Sequence, residues 1–211
     1  MFIYWMIAAY LLGSLPAAWF VTRAITGEDI RNLGSGNAGV MNTAVSITRW
    51  AGLLVFLAEI AKGLLAVAIP RYFGAGDVIV LLSALATVIG TRWSIWLDWS
   101  GGKGTTSGMA ALLLLSWPTL GLGLILWLMI RGITRSHFVA TRVSFFTMPL
   151  LLGLFTRSLW GVLVGYGMSL VYYTSHRLDS DDHTQVKAHY TNFWRFLISA
   201  PRPGGPKSPW R

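Results

Sequence analysis

The chain has 211 residues, of which 54% are hydrophobic and only 12% are charged, a composition that excludes an ordinary soluble domain. It contains no cysteine, which excludes disulfides, thiol catalysis and cysteine-ligated metals. Its apolar runs approach the roughly 20 residues that cross a bilayer as a helix. The sequence therefore predicts an all-α, polytopic membrane protein.

About seven transmembrane helices are predicted. The first covers about residues 2–23 and contains Gly13, Ser14 and Pro16, which favour close packing and a bend. We expect it to be retained, because the features of a cleaved signal peptide are missing. A short helix that does not cross is expected within 28–49. The other predicted spans are residues 50–70, 78–97, 106–117, 120–130, 143–154 and 159–173, with a short turn at Pro118 between 106–117 and 120–130.

The net charge of +9 would suit a nucleic-acid partner, but the basic residues are distributed by membrane side. With seven spans, most of the 17 Lys and Arg residues fall on the side of the C-terminus, whereas Arg71 and Arg157 fall opposite. The positive-inside rule then predicts a cytoplasmic C-terminus and an outside N-terminus. Nucleic acid is not expected as a partner.

We divide the chain into a membrane domain, residues 1–175, and a cytoplasmic basic tail, residues 176–211. The tail ends in a Pro/Gly-rich run and is expected to be partly disordered. Two Gly-rich loops, residues 34–42 and 101–106, fall on the predicted cytoplasmic face. We call them the first and the second glycine loop.

The first glycine loop satisfies the G-x-G-x-x-G spacing of dinucleotide sites through Gly34, Gly36 and Gly39. A membrane helix precedes it where that fingerprint requires a β-strand, so a dinucleotide site is excluded. Glycines followed by a helix can still turn several backbone N–H groups towards an anion. The loop therefore predicts an anion cradle.

The second glycine loop, Gly101-Gly102-Lys103-Gly104, opens the next helix and adds a lysine, but it lacks P-loop spacing. Either loop alone could serve helix packing or a turn. Two such loops on one face, with Asn37, Asn42 and Lys103, favour a site for a phosphate-bearing substrate.

Several other residues fall near this face or within a span. Glu59 and Lys62 are spaced i, i+3 on one helix and predict a structural ion pair. A basic linker is predicted from Arg131 to Arg142, and Ser144 and His176 could reach the same surface. The four histidines show no metal spacing, so neither a metal nor another cofactor is expected.

These motifs resemble those of the bacterial membrane-integral glycerol-3-phosphate acyltransferases that use acyl phosphate, the PlsY type. The resemblance covers nearly the whole chain up to His176. The motifs that carry it are Gly13-Ser14-x-Pro16, the two glycine loops, Glu59 with Lys62-Gly63, Val143-Ser144 and His176-Arg177.

The resemblance implies seven spans and a cytoplasmic active site in the bacterial inner membrane. It also implies transfer of a fatty acyl group from acyl phosphate to the 1-hydroxyl of glycerol 3-phosphate, giving lysophosphatidic acid. Proton transfer would be assisted by a substrate phosphate. The implied catalytic residues are Lys103, Asn37, Ser144 and His176. The implied phosphate-binding residues are Gly34, Ser35, Gly36, Gly39, Asn42, Gly101, Gly102, Gly104 and Arg49.

Five positions depart from the family pattern. Met41, Val45, Thr91, Ser94 and Asp179 stand where the family has threonine, arginine, histidine, proline and asparagine. Arg49 lies one helical turn from Val45 and could supply the missing cation. These departures leave an alternative open, a catalytically weakened relative that acts as a lipid-binding or structural subunit of a membrane complex.

Overall fold

The computed structural model of the protein describes residues 2–175. The predictions for the tail, and for His176, Arg177 and Asp179, lie outside the described residues. Between residues 2 and 175 the chain is helical, without a β-strand. The helices are α1 (Phe2–Ser14), α2 (Ala17–Thr26), α3 (Val40–Ser46), α4 (Arg49–Tyr72), α5 (Asp77–Arg92), α6 (Thr105–Thr134), α7 (His137–Thr156) and α8 (Leu159–Ser175).

Within residues 2–175, five stretches are long and apolar enough to cross a membrane as helices. They are Ile3–Thr26, Arg49–Tyr72, Asp77–Leu97, Thr105–Thr134 and His137–Thr156. Helix α8, with 17 residues, is equally apolar but shorter. The predicted all-helical membrane protein is confirmed, and the predicted short helix before α4 is α3.

The first span is broken between α1 and α2 at Pro16, which has no N–H for the helical ladder. The carbonyls freed by the break accept hydrogen bonds from side chains instead. Lys62 Nζ donates to Gly13 O at 3.2 Å and to Leu15 O at 2.9 Å, and Ser94 Oγ donates to Ser14 O at 2.6 Å. The bend predicted from the sequence is therefore a joint between α1 and α2 that these hydrogen bonds hold in place.

Helix α6 is also broken, at Ser116, whose φ of −163° and ψ of 89° are not helical. Ser116 Oγ accepts hydrogen bonds from Thr119 N at 3.4 Å and Thr119 Oγ1 at 2.8 Å, as an N-cap does. Pro118 cannot donate to Leu114 O, which accepts from Arg71 Nη1 at 2.6 Å. The sequence therefore explains the break, because Ser116 acts as an N-cap for the second arm and Pro118 cannot continue the hydrogen bonds of the first.

The two arms of α6 pack against different helices. The first arm follows α4 in the same direction, since Ser107 lies against Gly63 and Leu114 is bonded to Arg71. The second arm runs against the direction of α7. Gly123 lies against Met148, whereas Trp127 Nε1 donates to Thr141 Oγ1 at 3.1 Å.

Helices α5 and α8 are parallel to each other. Each follows a short turn after an antiparallel helix, α4 before α5 and α7 before α8, so α4 and α7 also point the same way. Gly167 of α8 lies against Leu85 of α5, and Val88 and Tyr172, further along each helix, both approach Gly108. The chain therefore reverses direction inside α6. The predicted spans 106–117 and 120–130 correspond to its two arms.

The predicted basic linker from Arg131 to Arg142 is wrong. Helix α6 continues to Thr134, and α7 begins at His137, where Ser136 Oγ accepts from Val139 N as the N-cap. Arg142 lies within α7, with its guanidinium 4.5 Å from the ring centroids of both Phe138 and Tyr173. Stacking on these two rings accommodates the charge of Arg142 within a helix, where the sequence suggested a loop.

Candidate active site

The first glycine loop is organised around the side chain of Asn42, which is 1% exposed. Its Nδ2 donates to Leu33 O at 3.0 Å and to Asn37 O at 2.9 Å, while its Oδ1 accepts from Ser35 N at 3.0 Å and Ser46 Oγ at 3.0 Å. The donors and acceptors of this side-chain amide are thus occupied by the loop and the residues beside it. Asn42 therefore holds the first glycine loop in shape.

Glycine is required in both loops for identifiable reasons. Gly36 has a φ of +72° and Gly104 a φ of +73°, a left-handed conformation that side chains rarely adopt. Gly102 faces the other loop so closely that a Cβ atom on it would lie 2.6 Å from Ala38 O. The two glycine loops therefore touch, backbone to backbone.

A charged clamp holds the segments that lead into the loops. Arg31 Nη2 pairs with Asp29 Oδ2 at 2.8 Å, and Arg31 Nη1 donates to Leu97 O at 3.0 Å and reaches Asp98 Oδ2 at 3.4 Å. Burial raises the pKa of the Asp29 carboxyl, but the hydrogen bonds and positive charge of Arg31 outweigh it and lower that pKa overall.

A small polar cavity of about 80 Å³ lies where the loops meet. The N-terminus of α6 opens onto it through Thr105 and Thr106, whose backbone N–H groups precede the first hydrogen bond of that helix. These N–H groups and the Lys103 ammonium bring positive charge to its wall. The residues that complete the wall are Asn37, Ala38, Gly39, Val40, Met41, Glu59, Thr91, Gly102 and Gly104.

A second, larger cavity of about 420 Å³ lies between the two arms of α6 and helices α7 and α8. Three of its polar lining residues, His137, Thr141 and Ser144, lie on the first two turns of α7. The wall further along α7, from Met148 to Leu152, is apolar. Lys103 lines both cavities, so it stands between a polar compartment and an apolar one.

The structure places some predicted site residues on the cavity walls and others away from both cavities. Those on the small cavity are Asn37, Gly39, Gly102, Lys103 and Gly104, and Ser144 lines the large one. Gly34, Ser35, Gly36, Asn42 and Gly101 lie in the loops but line neither cavity. Arg49, the first residue of α4, lines neither cavity, and neither does Val45.

Three titratable residues on these walls were not predicted from the sequence to line a site. Glu59 lines the small cavity, although its sequence signal, a carboxylate inside a membrane span, suggested a structural ion pair alone. His137 and Tyr172 line the large cavity. His137 was assigned to a linker, and a tyrosine in an apolar span carried no signal for a site.

A lysine between a glycine-walled polar cavity and an apolar cavity, within a bundle of membrane helices, suits an integral membrane enzyme whose substrate has polar and apolar parts. The family model described as glycerol-3-phosphate acyltransferase matches residues 3–183. The chain belongs to the glycerol-3-phosphate acyltransferase family, and it is an acyltransferase of phospholipid synthesis.

Individual relatives agree with this assignment. "Glycerol-3-phosphate acyltransferase 1" of Dehalococcoides mccartyi is 37% identical over 194 residues, which cover 89% of this chain and 93% of the relative. The enzyme of Parasynechococcus marenigrum is 35% identical over 169 residues, or 80% of this chain and 79% of the relative. The alternative of a non-catalytic subunit is not favoured by relatives that match over this length.

Two solved structures share the fold. The crystal structure of PlsY, an integral membrane glycerol 3-phosphate acyltransferase, in its glycerol 3-phosphate form has a TM-score of 0.73 at 22% identity. The lysophosphatidic acid form of PlsY has a TM-score of 0.70 at 21% identity. Each comparison covers 94% of this chain and 99% of the solved one.

Proposed function

We propose that this protein transfers a fatty acyl group from acyl phosphate to the 1-hydroxyl of glycerol 3-phosphate, giving lysophosphatidic acid and inorganic phosphate. The observation that carries the proposal is the position of Lys103, which lines both the small polar cavity and the large apolar one. A reaction that joins a polar phosphate ester to a fatty chain needs two such compartments meeting at the reacting atoms.

The small cavity is the proposed phosphate cradle. Gly102, Gly104 and the N-terminus of α6 present backbone N–H groups, Asn37 adds a side-chain amide, and Lys103 adds a full positive charge. The remaining glycine-loop residues hold this wall in shape, with Asn42 as the central support. Their predicted role in phosphate binding is thus indirect.

Two of the departures from the family pattern lie at defined positions relative to this cradle. Thr91, in place of histidine, donates through Oγ1 to Gly13 O at 3.1 Å and Thr87 O at 3.0 Å, and so helps to fix the joint between α1 and α2. Val45 and Arg49 lie off both cavities. We therefore assign the cradle's side-chain charge to Lys103 and withdraw Arg49 from it.

The large cavity is the proposed site of the acyl chain, with Ser144 and Lys103 near the reacting carbonyl and Met148 and Leu152 along the chain. The 1-hydroxyl attacks the carbonyl carbon, the bond from that carbon to the phosphate oxygen breaks, and inorganic phosphate leaves. The hydroxyl proton passes to a substrate phosphate oxygen. Lys103 stabilises the negative charge that develops.

We further propose seven membrane crossings, with the N-terminus outside and the glycine loops and the C-terminus cytoplasmic, in a bacterial inner membrane. The reversal inside α6 supports the count, because it divides one helical stretch into two crossings. The basic residues support the orientation. Ser175, the last described residue of α8, lies at the same end of the bundle as Lys103 in this arrangement.

The test is formation of lysophosphatidic acid from labelled glycerol 3-phosphate and acyl phosphate by the purified protein in detergent. We expect turnover with acyl phosphate. A protein that is folded by its unfolding profile yet yields no labelled lysophosphatidic acid would contradict the proposal.

A further inference from the structure

Glu59 is a carboxylate on the wall of the small cavity, and it is 7% exposed. Its Oε1 pairs with Lys62 Nζ at 2.5 Å. A carboxylate beside a proposed phosphate site needs an explanation, because it repels a phosphate. Charge neutralisation of Lys62 is one explanation, but it does not require the carboxylate to line the cavity.

Lys62 and Glu59 differ in how many of their hydrogen-bonding sites have partners. The ammonium of Lys62 has three donors, and three acceptors surround it: Glu59 Oε1, Gly13 O and Leu15 O. Among residues 2–175, by contrast, Lys62 is the one donor that reaches Glu59. An ionised carboxylate offers about four acceptor sites. Lys62 is thus saturated, whereas Glu59 retains acceptor capacity on the cavity wall.

The cavity otherwise offers donors, namely Lys103 and the N–H groups at the start of α6. A ligand complementary to this wall combines an anionic group with a hydroxyl that can donate to Glu59. Glu59 lines the small cavity and not the large one, so the hydroxyl that it meets is not the one that attacks the acyl carbonyl. In glycerol 3-phosphate, the 2-hydroxyl lies between the phosphate and the attacking 1-hydroxyl.

We propose that Glu59 is a substrate-binding residue that accepts a hydrogen bond from the 2-hydroxyl of glycerol 3-phosphate. This assignment rests on the function proposed above and names a specificity determinant within it. Held at its phosphate by the cradle and at its 2-hydroxyl by Glu59, the substrate has its 1-hydroxyl turned towards the large cavity. The ion pair with Lys62 then serves to fix the carboxylate in place.

The experiment compares glycerol 3-phosphate with its 2-deoxy analogue, propane-1,3-diol monophosphate, as acyl acceptor. The analogue keeps the phosphate and the attacking hydroxyl. A hydrogen bond to a charged acceptor is worth about 1.5–3 kcal/mol, so the wild type should lose roughly ten- to hundredfold in kcat/KM on the analogue. Glu59→Gln should lose activity on glycerol 3-phosphate and show a much smaller further loss on the analogue.

Thr91→Val is the matched control, because Thr91 lines the same cavity but its hydroxyl is bonded within the protein. It should keep the wild-type difference between the two acceptors. Equal kcat/KM of the wild type for both acceptors would overturn the proposal, even if Glu59→Gln failed to fold. An undiminished difference in a folded Glu59→Gln variant would overturn it as well. Absence of all wild-type turnover would instead contradict the proposed function.

Discussion

Gly102 and Ala38 bring the two glycine loops into contact, with a Cβ position on Gly102 only 2.6 Å from the carbonyl oxygen of Ala38. A contact between backbones leaves no flexible side chain to yield. The width of the small cavity is therefore set by this approach, and a methyl group at Gly102 has to push the loops apart.

We expect Gly102→Ala to lower kcat/KM roughly a hundredfold, since a displacement on the order of 1 Å in a catalytic site costs about that much. The measurement is acyl transfer to glycerol 3-phosphate. Gly121→Ala is the control, because Gly121 lies in α6 and has nothing within 4 Å of its Cβ position. Equal activity of the two variants would show that the loop contact is not functional.

Much of this architecture follows from the sequence, for local reasons. Pro16 and Pro118 remove backbone donors and so predicted the bend between α1 and α2 and the turn within α6. The glycine loops were found from composition and spacing. In each of these cases, a few adjacent residues determine the local conformation.

The remainder depended on contacts between distant segments. The sequence predicted Arg142 in a loop because of its charge, whereas in the structure it lies within a helix and stacks on Phe138 and Tyr173. Glu59 was correctly paired with Lys62, but its position on the cavity wall depends on how α4 meets the loops. Neither relation has a signature within one stretch of sequence.

A second prediction concerns the buried ion pair. Lys62→Met leaves the Glu59 carboxylate buried without its partner and takes donors from the carbonyls of Gly13 and Leu15. We expect a loss of about 3–5 kcal/mol in the free energy of unfolding, measured by denaturation in detergent. The double variant Lys62→Met with Glu59→Gln should recover part of that loss. A double variant less stable than Lys62→Met alone would contradict this account.

A third prediction is a pH dependence from the clamp at Asp29. Its pKa is lowered in the folded state from the ordinary value of 3.8, so its stabilising contribution is present above that value and disappears as the pH falls through the folded-state pKa. Asp29→Asn should therefore lower the unfolding temperature at neutral pH, with a difference from wild type that closes at pH values below 3.8.

The exposed neighbour supplies the control for the clamp. Glu28→Gln changes the same charge one residue away, on a side chain that faces solvent. It should leave the unfolding temperature near that of the wild type across the same pH range. A difference between Asp29→Asn and wild type that widens towards acidic pH would contradict the assignment to the ion pair with Arg31.

The central claim is that one lysine serves both compartments, and Lys103→Ala tests it most directly when kcat/KM is measured for glycerol 3-phosphate and for acyl phosphate separately. Lys103 lines both cavities, so we expect kcat/KM to fall roughly ten- to hundredfold or more for each substrate, with an unfolding temperature near that of the wild type. A folded Lys103→Ala protein that keeps the wild-type kcat/KM for either substrate would contradict the claim.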